Sequence, residues 1–175
     1  MNDFAKILEE ITKYYNPASI KNPIAKIQND MLKHLMDRCL RVASHLVPPG
    51  ASEAAINRAN NHGIDIFKLQ EKDRNKVENK IKKSDNLDEE KFILEHFYPV
   101  NQIINDMLTV RNQSEKTFEN AISKLKVVWV LKSEDEALNK NGHRTKRPNP
   151  YEAYERAGIK LNEENPYGVN WLNQT

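Results

Sequence analysis

The sequence predicts an all-α domain: a multi-helix bundle with a long second helix and an extended, aromatic-containing C-terminal arm. Three observations lead there. Apolar residues recur at three- and four-residue intervals along most of the chain. Only five of its 175 residues are Gly, too few for the many tight turns of a β sandwich, for phosphate-cradling loops or for nucleophile elbows. A single Cys excludes an intramolecular disulfide, a Cys-rich zinc site and iron–sulfur ligation by this chain alone. The length suits one domain, with residues 1–142 as the helical bundle. Residues 143–175 form a basic loop, a short helix and an arm that packs on the same domain or on a neighbouring subunit. Charged residues at 30%, apolar residues at 38% and a mean hydropathy of −0.79 imply a modest core.

Asp3 is a plausible N-cap for a first helix, in which Phe4, Ile7, Leu8 and Ile11 follow at helical spacing until Asn16 and Pro17 stop it. Asn22 and Pro23 make a cap and first turn for a longer helix that runs to about Val47 and ends at Pro48-Pro49-Gly50. Its apolar residues, from Ile24 through Met31, Leu35, Cys39 and Leu46, cover about half the circumference and predict contact with at least two other helices. Cys39 sits at the centre of that arc and reads as core. Ser52 caps a third helix that closes at Gly63, and Asp65 opens a fourth whose apolar stripe thins between Gln70 and Lys83.

From Asp88 onward, Phe92, Ile93, Phe97, Val100, Ile103, Ile104, Met107 and Leu108 predict a helix that Pro99 kinks or divides. Phe118 to Leu131 predicts a further one. Its last run, Val127 to Leu131, would by itself also fit a buried strand, but the spacing upstream favours continued helix. Ser133 with Glu136 fits a capping box for a short helix ending at Asn141-Gly142. Asn149 and Pro150 start another, closed by Gly158. The segment Ile159 to Thr175 carries too many large side chains for a free tail, and Tyr167, Trp171 and Leu172 are its expected partner contacts.

Lys and Arg exceed Asp and Glu by two, so the distribution of charge must carry the functional argument. His34, Arg38, Arg41 and His45 fall within about 60° of one another on the second helix. They form a basic stripe that reads either as the solvent side of that helix or as an anion site. The spacing from Arg38 to His45, Arg-x6-His, resembles that of some HEPN ribonucleases. That resemblance implies a phosphodiesterase on a helical background, with Arg38, Arg41 and His45 as its catalytic residues. The second basic group is a loop, His143, Arg144, Lys146 and Arg147, followed by Tyr151 and Tyr154. Cations for phosphates, rings for bases and a helix N-terminus meet there, the combination that nucleic-acid binding needs.

No His-Glu-x-x-His occurs, and no Glu stands three residues before any His. Asp30 with His34, and Glu89 with His96, share helical faces, but two ligands do not make a metal site. No metal or cofactor is expected. No apolar run is long enough to span a bilayer and the N-terminus lacks a secretory pattern, so a cytoplasmic location without membrane contact is expected. The leading functional expectation is a non-enzymatic binding or assembly protein that acts through protein contacts and self-association as a homo-oligomer. A nucleic-acid-binding protein using residues 143–154 is the alternative, and the HEPN-like ribonuclease comes third.

Overall fold

The computed structural model describes residues 2–15, 23–85, 91–109 and 115–162. In chain order its elements are α1 (Asn2–Thr12), α2 (Pro23–Ser44), β1 (Gly50–Ser52), α3 (Glu53–Asn61), 3-10 turns at Ile66–Lys68 and Glu71–Asp73, and α4 (Arg74–Asp85). Then follow β2 (Phe92–His96), α5 (Val100–Thr109), α6 (Glu115–Ser123), β3 (Val127–Leu131), α7 (Lys132–Lys140), α8 (Pro150–Arg156) and β4 (Leu161–Asn162). The chain is therefore mixed α/β, and the all-α expectation is corrected by a four-stranded sheet of order β2-β3-β1-β4. β3 runs parallel to β1 and antiparallel to β2, and β4 closes the other edge antiparallel to β1.

The correction has a local cause. Val127 to Leu131 is a central strand covered on both faces, so its apolar residues run on without the alternation that marks a half-exposed strand. Val128 and Val130 enter a core with Phe97, Leu138, Ala153, Tyr154 and Ile159. Trp129 enters another, on the opposite face, with Ala51, Ala55, Ala59, Ile66, Ile81 and Phe92. The expected helix through Phe92 and Phe97 is instead β2 followed by α5. Pro99 does not kink a helix: its carbonyl accepts from Gln102 N and Ile103 N at the start of α5.

The third core is helical. Leu8 of α1, Met36 and Leu40 of α2, Ile103 and Met107 of α5, and Phe118 and Ile122 of α6 pack together. Each of these helices turns one apolar stripe inward.

Most helix boundaries follow from short-range chemistry. Ser52 Oγ accepts from Ala55 N at 3.1 Å and caps α3. Ser52 Oγ also donates to Glu134 Oε2 at 2.6 Å, and that carboxylate accepts from Leu131 N at 2.8 Å, joining the starts of α3 and α7. Asp3, expected as a cap, lies within α1. α2 ends at Ser44 and passes through turns to Val47. Gly142 and Gly158 take positive φ, 79° and 73°, where α7 and α8 end. Asp65 opens a 3-10 turn by accepting from Phe67 N, and the regular helix of that region begins only at Arg74.

The C-terminal segment starts as β4, with Ile159 buried beneath it. Tyr167, Trp171 and Leu172 lie outside the described residues.

Candidate functional site

The C-terminal half of α2, the end of β2 and the loop 143–147 meet around a polar pocket of about 280 Å³. Arg41 lines it from α2, Asn101 from α5, Asp135 and Asn139 from α7, and Arg144 and Thr145 from the loop. Glu95 and His96 of β2 also line it. The fold thus brings one member of each predicted basic group, Arg41 and Arg144, to a single cavity.

Arg147 holds this arrangement together. It is fully buried, and its guanidinium is used on every side. Nε donates to the His143 carbonyl at 2.7 Å, Nη1 to the His96 carbonyl at 2.6 Å, and Nη2 to Glu95 Oε1 at 2.5 Å. Its backbone N donates to Gln102 Oε1, and Gln102 Nε2 returns a bond to the Arg147 carbonyl at 3.1 Å. The guanidinium also lies 5.6 Å from the centre of the Tyr154 ring. Burial pushes the Glu95 carboxyl above its ordinary range and the Arg147 guanidinium pulls it back.

His96, which lines the pocket, is partly buried. Ser44 Oγ donates its one proton to the Arg41 carbonyl at 2.7 Å. The same oxygen therefore accepts from His96 Nε2 at 3.1 Å, which leaves Nδ1 as an acceptor. Burial, reinforced by the nearby Arg41 cation, lowers the imidazole pKa to about 4. The ring is neutral at physiological pH. Arg41 Nε donates to Asp37 Oδ2 at 2.9 Å, so part of its charge is already met. Arg144 is exposed, and among the described residues no carboxylate pairs with it.

The predicted residues therefore divide. Arg41 and Arg144 converge on the pocket. His34 and Arg38 stay on the exposed side of α2, His45 is exposed in the turn that follows it, and Lys146 is exposed on the loop. Tyr151 is half-exposed and sets its ring edge-on to Phe97 at 5.1 Å. Arg147 and Tyr154, expected at a nucleic-acid surface, are buried as internal supports, a correction made by the bonds above. The helical background implied by the HEPN resemblance is interrupted by the sheet, and His96 lies on a strand instead of sharing a helical face with Glu89. Glu89 is outside the described residues. Cys39 is partly buried against the helical core, and burial raises its thiol pKa.

Glu95 and Gln102 were missed from sequence, and His96 was singled out only as a neighbour of Glu89. Their signal is a Glu-His pair at the end of an apolar run immediately before Phe97-Tyr98-Pro99, where a strand must leave the core.

α2 carries a second feature. Met36, Leu40 and Ala43 face the core, while Ile27, Met31, Leu35 and Val42 lie within about 80° of one another on the exposed side. Leu46 continues that stripe in the following turn and is 77% exposed. His34 borders it, and Arg38 and His45 fall within the same arc.

No family model matches the chain, and no curated protein or solved structure matches it. Among the described residues no group of three His, Cys, Asp or Glu is placed to hold a metal ion, and no helix is long and apolar enough to cross a membrane.

Proposed function

We propose that this chain is a non-enzymatic binding protein that self-associates through the exposed face of α2. The observation that carries the reading is the apolar stripe from Ile27 to Leu46, whose large side chains are 47% to 77% exposed. Covering each contributes about 1–2 kcal/mol, and a grouping of large exposed apolar side chains on one helix face, here interrupted by Arg38, is a mark of contact surfaces. From Ile27 to Val42 it is about 22 Å long at helical rise, enough for one copy to lie along another with like stripe on like stripe. Tyr167, Trp171 and Leu172 are proposed to join that contact.

Light scattering on a sizing column tests it. The wild type should elute as a multiple of 20.3 kDa, and Met31→Glu and Val42→Glu should each return it to a monomer with unchanged helical circular dichroism. A wild type that stays monomeric at the highest attainable concentration would overturn the reading. Truncation for the arm belongs after Asn162, because Ile159 and β4 are part of the fold.

A second reading, nucleic-acid binding, is favoured by the convergence of Arg41 and Arg144 on one pocket with Lys146 exposed nearby. The variant that tests it is Arg144→Glu with Lys146→Glu, leaving the buried Arg147 in place. Salt-sensitive binding to RNA or DNA should be lost, and unchanged binding would remove this reading.

A further inference from the structure

We propose that the cleft between the C-terminal end of α2 and the two 3-10 turns binds a planar heteroaromatic compound that presents both a hydrogen-bond acceptor and a donor, the chemistry of a nucleobase edge. The cleft has a volume of about 960 Å³, within the range of roughly 300–1,000 Å³ typical of small-molecule sites. Val47, Pro48, Phe67 and Leu94 give it apolar walls, and Trp129 and Glu71 line it as well.

Those last two residues decide the chemistry. Trp129 is fully buried on the central strand, and its Nε1–H has no hydrogen-bond partner. Glu71 Oε1 pairs with Arg74 Nη1 at 3.0 Å, but its buried Oε2 has no hydrogen-bond partner. An indole N–H can only donate and a carboxylate oxygen accepts. One donor and one acceptor, on two residues that line the same cavity, are thus left unmet, each costing about 1–3 kcal/mol. A flat ring with an acceptor for the indole and an N–H for the carboxylate would satisfy both while its faces cover the apolar walls. Burial also raises the Glu71 carboxyl pKa, with Arg74 and His45 opposing. The exposed Lys72 lines the same cleft, and among the described residues no carboxylate pairs with it. It can meet an anionic substituent on the ring.

The proposal does not rest on self-association, although Leu46 of the α2 stripe also lines the cleft. Its test uses the full chain with Trp171→Phe, which leaves Trp129 as the one tryptophan of the two in the sequence. The four common ribonucleosides and their 5′-monophosphates are titrated by fluorescence and by calorimetry. At least one should give a saturable change in Trp129 emission. Trp129→Phe and Glu71→Gln, followed by calorimetry, should each weaken that binding by about tenfold, the worth of one hydrogen bond. The unliganded Trp129→Phe protein should be less stable by about 1–3 kcal/mol, because the smaller ring leaves space in the core that removal of an unmet donor only partly offsets. If Trp129→Phe does not fold, Glu71→Gln carries the test.

A monophosphate that binds more tightly than its nucleoside, with the difference lost in Lys72→Ala, supports the proposal and places the phosphate at Lys72. Absence of saturation by every compound would overturn it. So would binding that is indifferent to the base and to both the Trp129 and Glu71 changes.

Discussion

The C-terminal end of α2 borders two cavities, the polar pocket through Arg41 and the larger cleft through Ser44 to Val47. They differ in how their buried polar groups are met. Beside the polar pocket, Arg147 is completely enclosed, yet each of its guanidinium nitrogens has a backbone or carboxylate partner. Beside the cleft, the Trp129 N–H and one Glu71 oxygen have no hydrogen-bond partner. A buried polar network that is fully bonded rigidifies a fold, whereas open donors and acceptors on a cavity wall are features a ligand can complete. Charge alone would have pointed the other way, since the arginines stand by the satisfied pocket.

The largest expected effect breaks that satisfied network. Arg147→Ala leaves the partly buried Glu95 without its cation and the His143 and His96 carbonyls without their donor, while the backbone bonds to Gln102 remain. It should cost about 3–5 kcal/mol in urea unfolding. Arg147→Lys should cost less but still destabilise, because an ammonium cannot reproduce the guanidinium fork. A loss under about 1 kcal/mol in both would mean that Arg147 is not a structural support, and the contrast between the cavities would fail.

The next effect belongs to His96. Its pKa is about 4 in the folded chain against roughly 6.5 in an unfolded one. The native state therefore binds fewer protons, and the neutral ring contributes stability that is present above pH 6.5 and lost as pH falls toward 4. The difference is roughly 3 kcal/mol at full expression. Urea midpoints at pH 7 and pH 4.5 measure it. His96→Gln should flatten the pH dependence by most of that amount, and an equal slope in the variant would place the titration elsewhere.

The helices were readable where a cap or a stop is local. Ser52, Asn149 and the glycines at 142 and 158 act over a few residues, and each lies where a helix or its end was expected. The sheet was not readable for a reason of length. β1 and β4 have three and two residues, too short to establish a period of two. The residues from Phe92 to Phe97 also satisfy a spacing of three and four, and β3 is covered on both faces and shows no alternation. The site was half readable in the same way. Arg41 and Arg144 could be singled out as cations, but the partners that bury Arg147 lie 45 to 52 residues away, beyond any pattern of spacing. Trp129 reads as core from its neighbours, and only the fold shows its N–H unmet.

Ser52→Ala serves as a control outside both cavities, because neither is lined by Ser52. The hydroxyl caps α3 and donates to Glu134. Its removal should cost about 1–2 kcal/mol. The Trp129 cleft should keep its ligand affinity in that variant, measured at a temperature where it remains folded. Loss of affinity in proportion to stability would show that general loosening accounts for changes at the cleft.

The smallest effect sharpens the comparison most. The Tyr154 hydroxyl is also buried and without a hydrogen-bond partner, but Tyr154 borders neither cavity. Its ring packs at 5.4 Å from Phe97 and lies beside the Arg147 guanidinium, contacts that phenylalanine retains. Burial raises its phenol pKa, so the group stays neutral and adds no charge to the network. Tyr154→Phe should therefore leave stability unchanged or raise it by up to about 1 kcal/mol, with no effect on any ligand. Trp129→Phe, which also shrinks a buried ring, should cost more stability in the unliganded protein and, unlike Tyr154→Phe, should weaken ligand binding. If Tyr154→Phe instead destabilises by more than 1 kcal/mol, its hydroxyl has a partner such as an enclosed water. An open donor would then no longer distinguish the cleft from the rest of the core.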